Sequence, residues 1–208
     1  MSVLSYSRLS ADSKGNDPLF LLFHGGGDNE REMSRFFEDQ SDADYISFVA
    51  PHHRVYIPGS LWWKPDATFE SRKQECLETG EHIVSLLRSL SLSSRPLTAI
   101  GFSQGAYLVY RLLTDFPSLL HRAVLLSPPF PDTEPESKAV RAAESTGKTP
   151  TLLIYGDNDL IIDIHEQHNA ATVLNHFTAL TEHTLPSTGH DLTVQEATVI
   201  QEYLAATH

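Results

Sequence analysis

The sequence predicts an α/β protein built on a mainly parallel sheet with helices on both faces. Three observations predict it. Short runs such as Leu19–Phe23 and Leu97–Phe102 are apolar at every position, which suits strands covered on both sides. Stretches of helical period alternate with these runs along the chain. The runs end in glycine, serine, aspartate or histidine, at the strand ends where open parallel sheets carry their sites.

In chain order, residues 2–9 alternate weakly and read as an edge strand, and residues 12–18 as a turn. Leu19–Phe23 is a buried strand that ends in His24-Gly25-Gly26-Gly27-Asp28-Asn29. Asp28 or Asn29 is placed to cap a helix over Glu30–Glu38, with Met33, Phe36 and Phe37 on its apolar face. Residues 45–50 form the next strand, closed by Pro51. Residues 51–69 hold three prolines and two tryptophans without periodicity, so they read as a long loop, packed rather than disordered. A helix follows over 70–90, with Leu77, Ile83, Val84, Leu86, Leu87 and Leu90 as its buried face.

Leu97–Phe102 is a strand and Gln104–Asp115 a helix, stopped before Pro117. Residues 123–126 and 151–155 are strands, separated by a connection with one short helix near 136–144. That connection is too short for a large inserted lid. Ile164–Phe177 is a helix, 180–185 the last strand, and 193–206 the closing helix.

The bulk properties exclude several function classes. A chain of 208 residues suits one domain, taken as 1–208. A net charge of −12 argues against sequence-independent nucleic-acid binding, which needs clustered cations, and against anionic lipid. Cys76 is the single cysteine, so the fold needs no disulfide. There is no basic start followed by an apolar segment, and no apolar run near the roughly 20 residues that span a bilayer. A cytoplasmic monomer or homodimer without stable membrane insertion is the expectation.

The chemistry concentrates in four strand-end loops. Gly101-Phe102-Ser103-Gln104-Gly105 is a G-x-S-x-G turn between a strand and a helix, the setting that strains a serine and exposes its hydroxyl as a nucleophile. A serine needs a neighbouring base. His190, after Gly189 and before the last helix, is the candidate. The base needs a carboxylate to orient it. Asp157, Asp159 and Asp163 all follow the strand at 151–155, and spacing alone does not choose among them. Asp159 is favoured because a position three after Gly156 can turn back toward the histidine loop. Asp157 comes second, and Asp163 suits a helix cap. An oxyanion hole needs two donors. The Gln104 backbone N–H, at a helix N-terminus, is one, and the Gly26 N–H from the glycine loop is the expected second. Neither G-x-x-x-x-G-K-[ST] nor G-x-G-x-x-G is present, so the glycine loop is not read as a phosphate cradle.

Taken together and in this order, FHGGGDN, GFSQGA, GDNDLIID and TGHDLT resemble the phospholipase/carboxylesterase family, which holds acyl-protein thioesterases and small bacterial carboxylesterases. The resemblance implies a compact α/β-hydrolase without a large cap. It implies a triad of Ser103, Asp159 and His190, and oxyanion donors at Gly26 and Gln104. The family often has glycine where Ala106 stands. It also often carries tryptophan, an aromatic residue and aspartate before the long helix, where this chain has Trp62-Trp63-Lys64.

Gly25, Trp62 and Trp63 are the expected substrate-binding residues, the tryptophans as a pocket wall or as a core cover. No cofactor is expected. His52, His53, His165 and His168 lack a third ligand at convincing spacing, so no metal is expected either. The expected activity is hydrolysis of small to medium carboxylic esters through an acyl-enzyme at Ser103. The alternatives are an acyl-thioesterase or lysophospholipase with the same triad, and a non-enzymatic receptor or scaffold on the same fold.

Overall fold

A computed structural model describes residues 5–9, 17–38 and 41–206. In chain order the elements are β1 Ser5–Arg8, β2 Leu19–Phe23, α1 Glu30–Glu38, β3 Tyr45–Phe48, β4 His52–His53, β5 Ser60–Leu61 and α2 Phe69–Ser89. They continue with β6 Leu97–Phe102, α3 Gln104–Asp115, β7 Arg122–Leu126, α4 Ser137–Thr146, β8 Thr149–Gly156, α5 Ile164–Phe177, β9 Thr178–Leu185 and α6 Val194–Ala206. Seven strands form one sheet in the order β1-β3-β2-β6-β7-β8-β9, with only β1 antiparallel to its neighbour. The chain is an α/β protein with a compact, mostly parallel mixed sheet.

Alternation along each strand divides the core into two layers. Leu19, Leu21 and Phe23 join Leu97, Ala99, Leu125 and Leu153 beneath α2, α3, α4 and α5. Phe20 and Leu22 join Ile100, Phe102, Val124 and Ile154 beneath α1 and α6. The strands read as unbroken apolar runs because both faces are covered. Among the described residues, no helix is long and apolar enough to cross a membrane.

Several boundaries differ from the sequence expectation. Only part of the N-terminal strand and turn can be compared, because residues 2–4 and 12–16 lie outside the described residues. The stretch 51–69 is not all loop: β4 and β5 pair as a short antiparallel ladder. What holds this ladder is tertiary. The Gly27 N–H donates to Ser60 O at 2.8 Å, and the Ser60 N–H donates to Asp28 O at 2.9 Å. The buried face of α2 is rotated toward Cys76, Thr79, Gly80, Ile83 and Leu87, which leaves Leu90 exposed. Gly80 explains the rotation: a Cβ there would lie 2.4 Å from the Phe116 ring, so its absence lets α3 approach α2 closely. β9 reaches back to Thr178 although its middle is half-buried or exposed, since an edge strand needs no continuous apolar run.

Helix α3 is buried on every side from Gly105 to Thr114. It runs behind the central strands, and its first turn is where Ser103 sits.

Candidate active site

Ser103 stands between β6 and α3 with φ 50° and ψ −117°, outside the ordinary regions for a residue with a Cβ. Such a conformation costs about 1–3 kcal/mol and persists only where its surroundings impose it. Here the Ser103 N–H donates to Leu126 O at 2.8 Å, while Ser103 O accepts from Ala106 N–H at 2.9 Å and Tyr107 N–H at 3.2 Å. The turn closes so tightly that a Cβ on Gly105 would lie 2.2 Å from Phe23 O. The flanking glycine in the motif is therefore a steric requirement.

His190 and Asp159 meet across the carboxyl edge of the sheet. His190 Nδ1 lies 2.7 Å from Asp159 Oδ2. Asp159 Oδ1 accepts from the backbone N–H groups of Ile161, at 2.8 Å, and Ile162, at 2.9 Å. The carboxylate is nearly inaccessible, with a side-chain exposure of 2%. These three contacts fix the direction of the buried carboxylate. The imidazole ring also packs on the ring of Phe102, the residue before Ser103, with centroids 4.9 Å apart.

The other two aspartates do different work. Asp157 Oδ1 accepts from Ser187 N–H at 2.6 Å, fixing the start of the histidine loop. Asp163 caps α5 by accepting from His165 N–H at 2.8 Å.

The glycine loop lies beside the serine turn. A Cβ on Gly25 would come within 2.8 Å of the Phe102 ring, and one on Gly26 within 2.5 Å of the Gln104 side chain. Gln104 opens α3, so its backbone N–H belongs to the first turn, whose amides have no carbonyl partner within the helix. Its side chain serves a separate purpose: Gln104 Oε1 accepts from Trp62 N–H at 3.1 Å.

Of the two roles open to the tryptophans, pocket wall or core cover, their burial fits the core cover. Trp62 has no exposed surface and Trp63 is 6% exposed. Trp62 Nε1–H donates to His24 O at 2.8 Å, and the Trp63 ring packs edge-on against Tyr107 with the Arg72 guanidinium 4.6 Å from its centre. Both rings support the glycine loop and α3 from behind, where two large apolar surfaces gain most from burial. Among the exposed apolar side chains, Leu160 and Ile161, 88% and 71% exposed, directly follow Asp159. The sequence reading did not single them out, although two consecutive aliphatic residues in a strand-end loop were the available signal. As for the candidate histidines, His52 Nε2 lies 2.6 Å from Glu75 Oε2, and His168 packs against the Tyr155 ring.

A family model described as Phospholipase/Carboxylesterase matches residues 5–208. The chain belongs to the phospholipase/carboxylesterase family. Members of the phospholipase/carboxylesterase family are α/β hydrolases of esterase and thioesterase type. Among solved structures, a carboxylesterase from Bacillus cereus matches with a TM-score of 0.78 at 22% identity, over 98% of this chain and 94% of that one. Acyl-protein thioesterase 2 of Zea mays matches with a TM-score of 0.77 at 21% identity, over 99% of both chains. A protein of unknown function from Agrobacterium tumefaciens gives 0.76 at 20% identity, over 99% and 97%. At these identities the likeness is one of fold. A search of curated proteins by sequence finds no significant match.

Close to the acid loop, α6 of this phospholipase/carboxylesterase family member begins with a capping box the sequence reading passed over. Glu196 Oε2 accepts from Thr193 N–H at 2.6 Å, and Glu196 N–H donates to Thr193 Oγ1 at 3.3 Å. Burial pushes the Glu196 carboxyl up to about 7, with the negative charges of Asp191 and Asp159 adding to the rise and the Thr193 bonds opposing it. The unfolded chain ionises this group near 4.5, so the folded state loses stability from it as pH rises from 4.5 to 7. Glu196→Gln keeps an acceptor for Thr193 N–H and has nothing to ionise. It is expected to be more stable than wild type at pH 8 by about 1–3 kcal/mol, with the difference shrinking toward pH 4.5. Thermal melts of both proteins at pH 4.5 and pH 8 check this.

Proposed function

We propose that this chain is a serine hydrolase that cleaves small to medium carboxylic esters through an acyl-enzyme on Ser103. The observation that carries the reading is the 2.7 Å hydrogen bond between His190 Nδ1 and Asp159 Oδ2, formed by an imidazole that packs against the residue preceding a strained serine.

Asp159 can only accept, so Nδ1 of His190 carries the proton and Nε2 is left as the base. Ser103 Oγ attacks the ester carbonyl carbon as His190 Nε2 takes its proton. The carbonyl oxygen becomes an oxyanion, held by the backbone N–H groups of Gly26 and Gln104 and by the positive end of the α3 dipole. The tetrahedral intermediate collapses, the C–O bond to the alcohol breaks, and His190 returns the proton to the leaving oxygen. Water, deprotonated by the same Nε2, then attacks the acyl-enzyme and releases the carboxylic acid and Ser103.

The substrate range rests on the surroundings of the site. The connection between β7 and β8 folds into α4, which packs against α3 and α5. Leu160 and Ile161 offer an apolar surface for an acyl group next to Asp159. In this reading residues 1–208 act as one domain on a small-molecule ester, in the cytoplasm and without a cofactor.

A fluorophosphonate probe tests the proposal directly, since it phosphonylates only an activated serine. Peptide mapping is expected to place one adduct on Ser103, with labelling competed by a p-nitrophenyl ester. Folded protein that takes up no probe would favour the non-enzymatic scaffold. In the same assay series, comparing p-nitrophenyl acetate, butyrate and octanoate with an acyl thioester sorts esterase from thioesterase preference.

A further inference from the structure

The glycine loop contains a buried histidine that the mechanism above leaves unused. We propose that His24 is a positioning residue for the oxyanion donor, setting the direction of the Gly26 N–H through the Gly25 carbonyl; this rests on the proposed role of Gly26.

His24 has no exposed surface. Its Nε2 lies 3.1 Å from the backbone nitrogen of Ala50, and that N–H can only donate. Nε2 is therefore unprotonated, with the Ser60 hydroxyl oxygen 3.4 Å away as a further neighbour. A neutral imidazole whose Nε2 accepts carries its proton on Nδ1. Nδ1 lies 2.6 Å from Gly25 O, so the ring donates to that carbonyl. Burial lowers the basicity of the ring, although the Gly25 bond and the charges of Asp28 and Glu30 act in the opposite direction. The neutral tautomer is thereby maintained.

The consequence lies in the peptide plane. The Gly25 carbonyl and the Gly26 N–H belong to one planar trans amide and point in opposite directions. Drawing the oxygen toward His24 turns the N–H away from the core. Gly25 O also accepts from Asp28 N–H at 3.3 Å, so the carbonyl is held from two sides. The neighbouring plane is fixed in the same way, since Trp62 Nε1–H donates to His24 O at 2.8 Å. On the far side the Gln104 side chain abuts Gly26. A glycine loop would otherwise sample many orientations, because glycine lacks the steric limits of other residues. An oxyanion donor is effective only when it points at the developing charge before the reaction.

Two substitutions separate the two hydrogen bonds of the ring. In His24→Gln the longer amide can still accept from Ala50 N–H but does not reach Gly25 O. In His24→Asn the shorter amide can donate to Gly25 O from about the place of Nδ1. His24→Gln is expected to lower kcat for p-nitrophenyl butyrate by about 10–100-fold, with KM changed less than about twofold. His24→Asn is expected to recover at least tenfold of that loss. A merely structural histidine would lower the melting temperature in both variants and leave kcat per folded molecule unchanged, which overturns the proposal. If neither variant folds, nitrogen NMR of the wild-type imidazole decides: the proposal requires the Nδ1–H tautomer, and an Nε2–H tautomer sinks it. Wild type that neither hydrolyses esters nor labels at Ser103 defeats the functional reading and this inference together. An active wild type with a fully active His24→Gln defeats only the inference.

Discussion

Ser103→Ala is expected to reduce hydrolysis of p-nitrophenyl butyrate by about 10⁵-fold or more, measured as kcat against wild type under the same conditions. The substitution removes one oxygen and leaves the turn otherwise intact, because the Leu126, Ala106 and Tyr107 hydrogen bonds use only backbone atoms of residue 103. Melting temperature is therefore expected to stay within a few degrees. The catalysis that remains would come from the oxyanion donors and from substrate binding, which accelerate attack by water without a serine. A variant retaining more than about a tenth of wild-type activity would falsify Ser103 as the nucleophile.

Asp159→Asn has the second largest expected effect, a fall in kcat of about 10³–10⁴-fold. The reason lies in which atoms the carboxylate faces. Oδ1 meets two backbone N–H donors, from Ile161 and Ile162, while Oδ2 meets His190 Nδ1. An asparagine must keep its single oxygen toward the two N–H groups, since an amide NH₂ there would set donor against donor. Its NH₂ is then forced toward His190, which has to present an unprotonated Nδ1. The ring proton moves to Nε2, and the nitrogen that should accept the serine proton is already occupied. Volume is unchanged, so folding is expected to survive. Side-by-side kinetics with melting curves check this, and activity close to wild type would remove Asp159 from the mechanism.

The elements that the sequence specified most sharply are those whose signals are local. α1 and α5 begin at capping residues, α3 begins directly after the serine turn and stops before Pro117, and β2 and β6 lie where unbroken apolar runs place them. The β4–β5 ladder escaped because two-residue strands carry no periodic signal; backbone bonds to the glycine loop hold them in place. The inward face of α2 escaped because Gly80 and Cys76, neither large nor strongly apolar, sit at the closest approach to α3, and a count of aliphatic residues points elsewhere.

At the site, the four loops could be listed from the sequence, and Asp159 was favoured over Asp157 and Asp163 although spacing alone did not choose among them. The hydrogen bond to His190 falls to Asp159 because Asp157 is engaged by Ser187 N–H and Asp163 by the first turn of α5. The tryptophans stayed open for a related reason: an aromatic pair beside a site suits a pocket wall and a buried brace equally, and only accessibility separates the two. His24 was visible as the first residue of a glycine motif, but its role depends on Ala50 and Ser60, which are 26 and 36 residues away.

The burial of α3 on every side divides the molecule into parts that tolerate change unequally. The serine turn is fastened to a helix that packs on α2, α4 and the central strands, so substitutions that change side-chain volume within α3 propagate through that layer. Leu160 and Ile161 touch little besides solvent. Under the proposed function, a lineage or a directed-evolution campaign can therefore vary those two positions and explore new acyl preferences while Ser103, Asp159 and His190 are inherited unaltered.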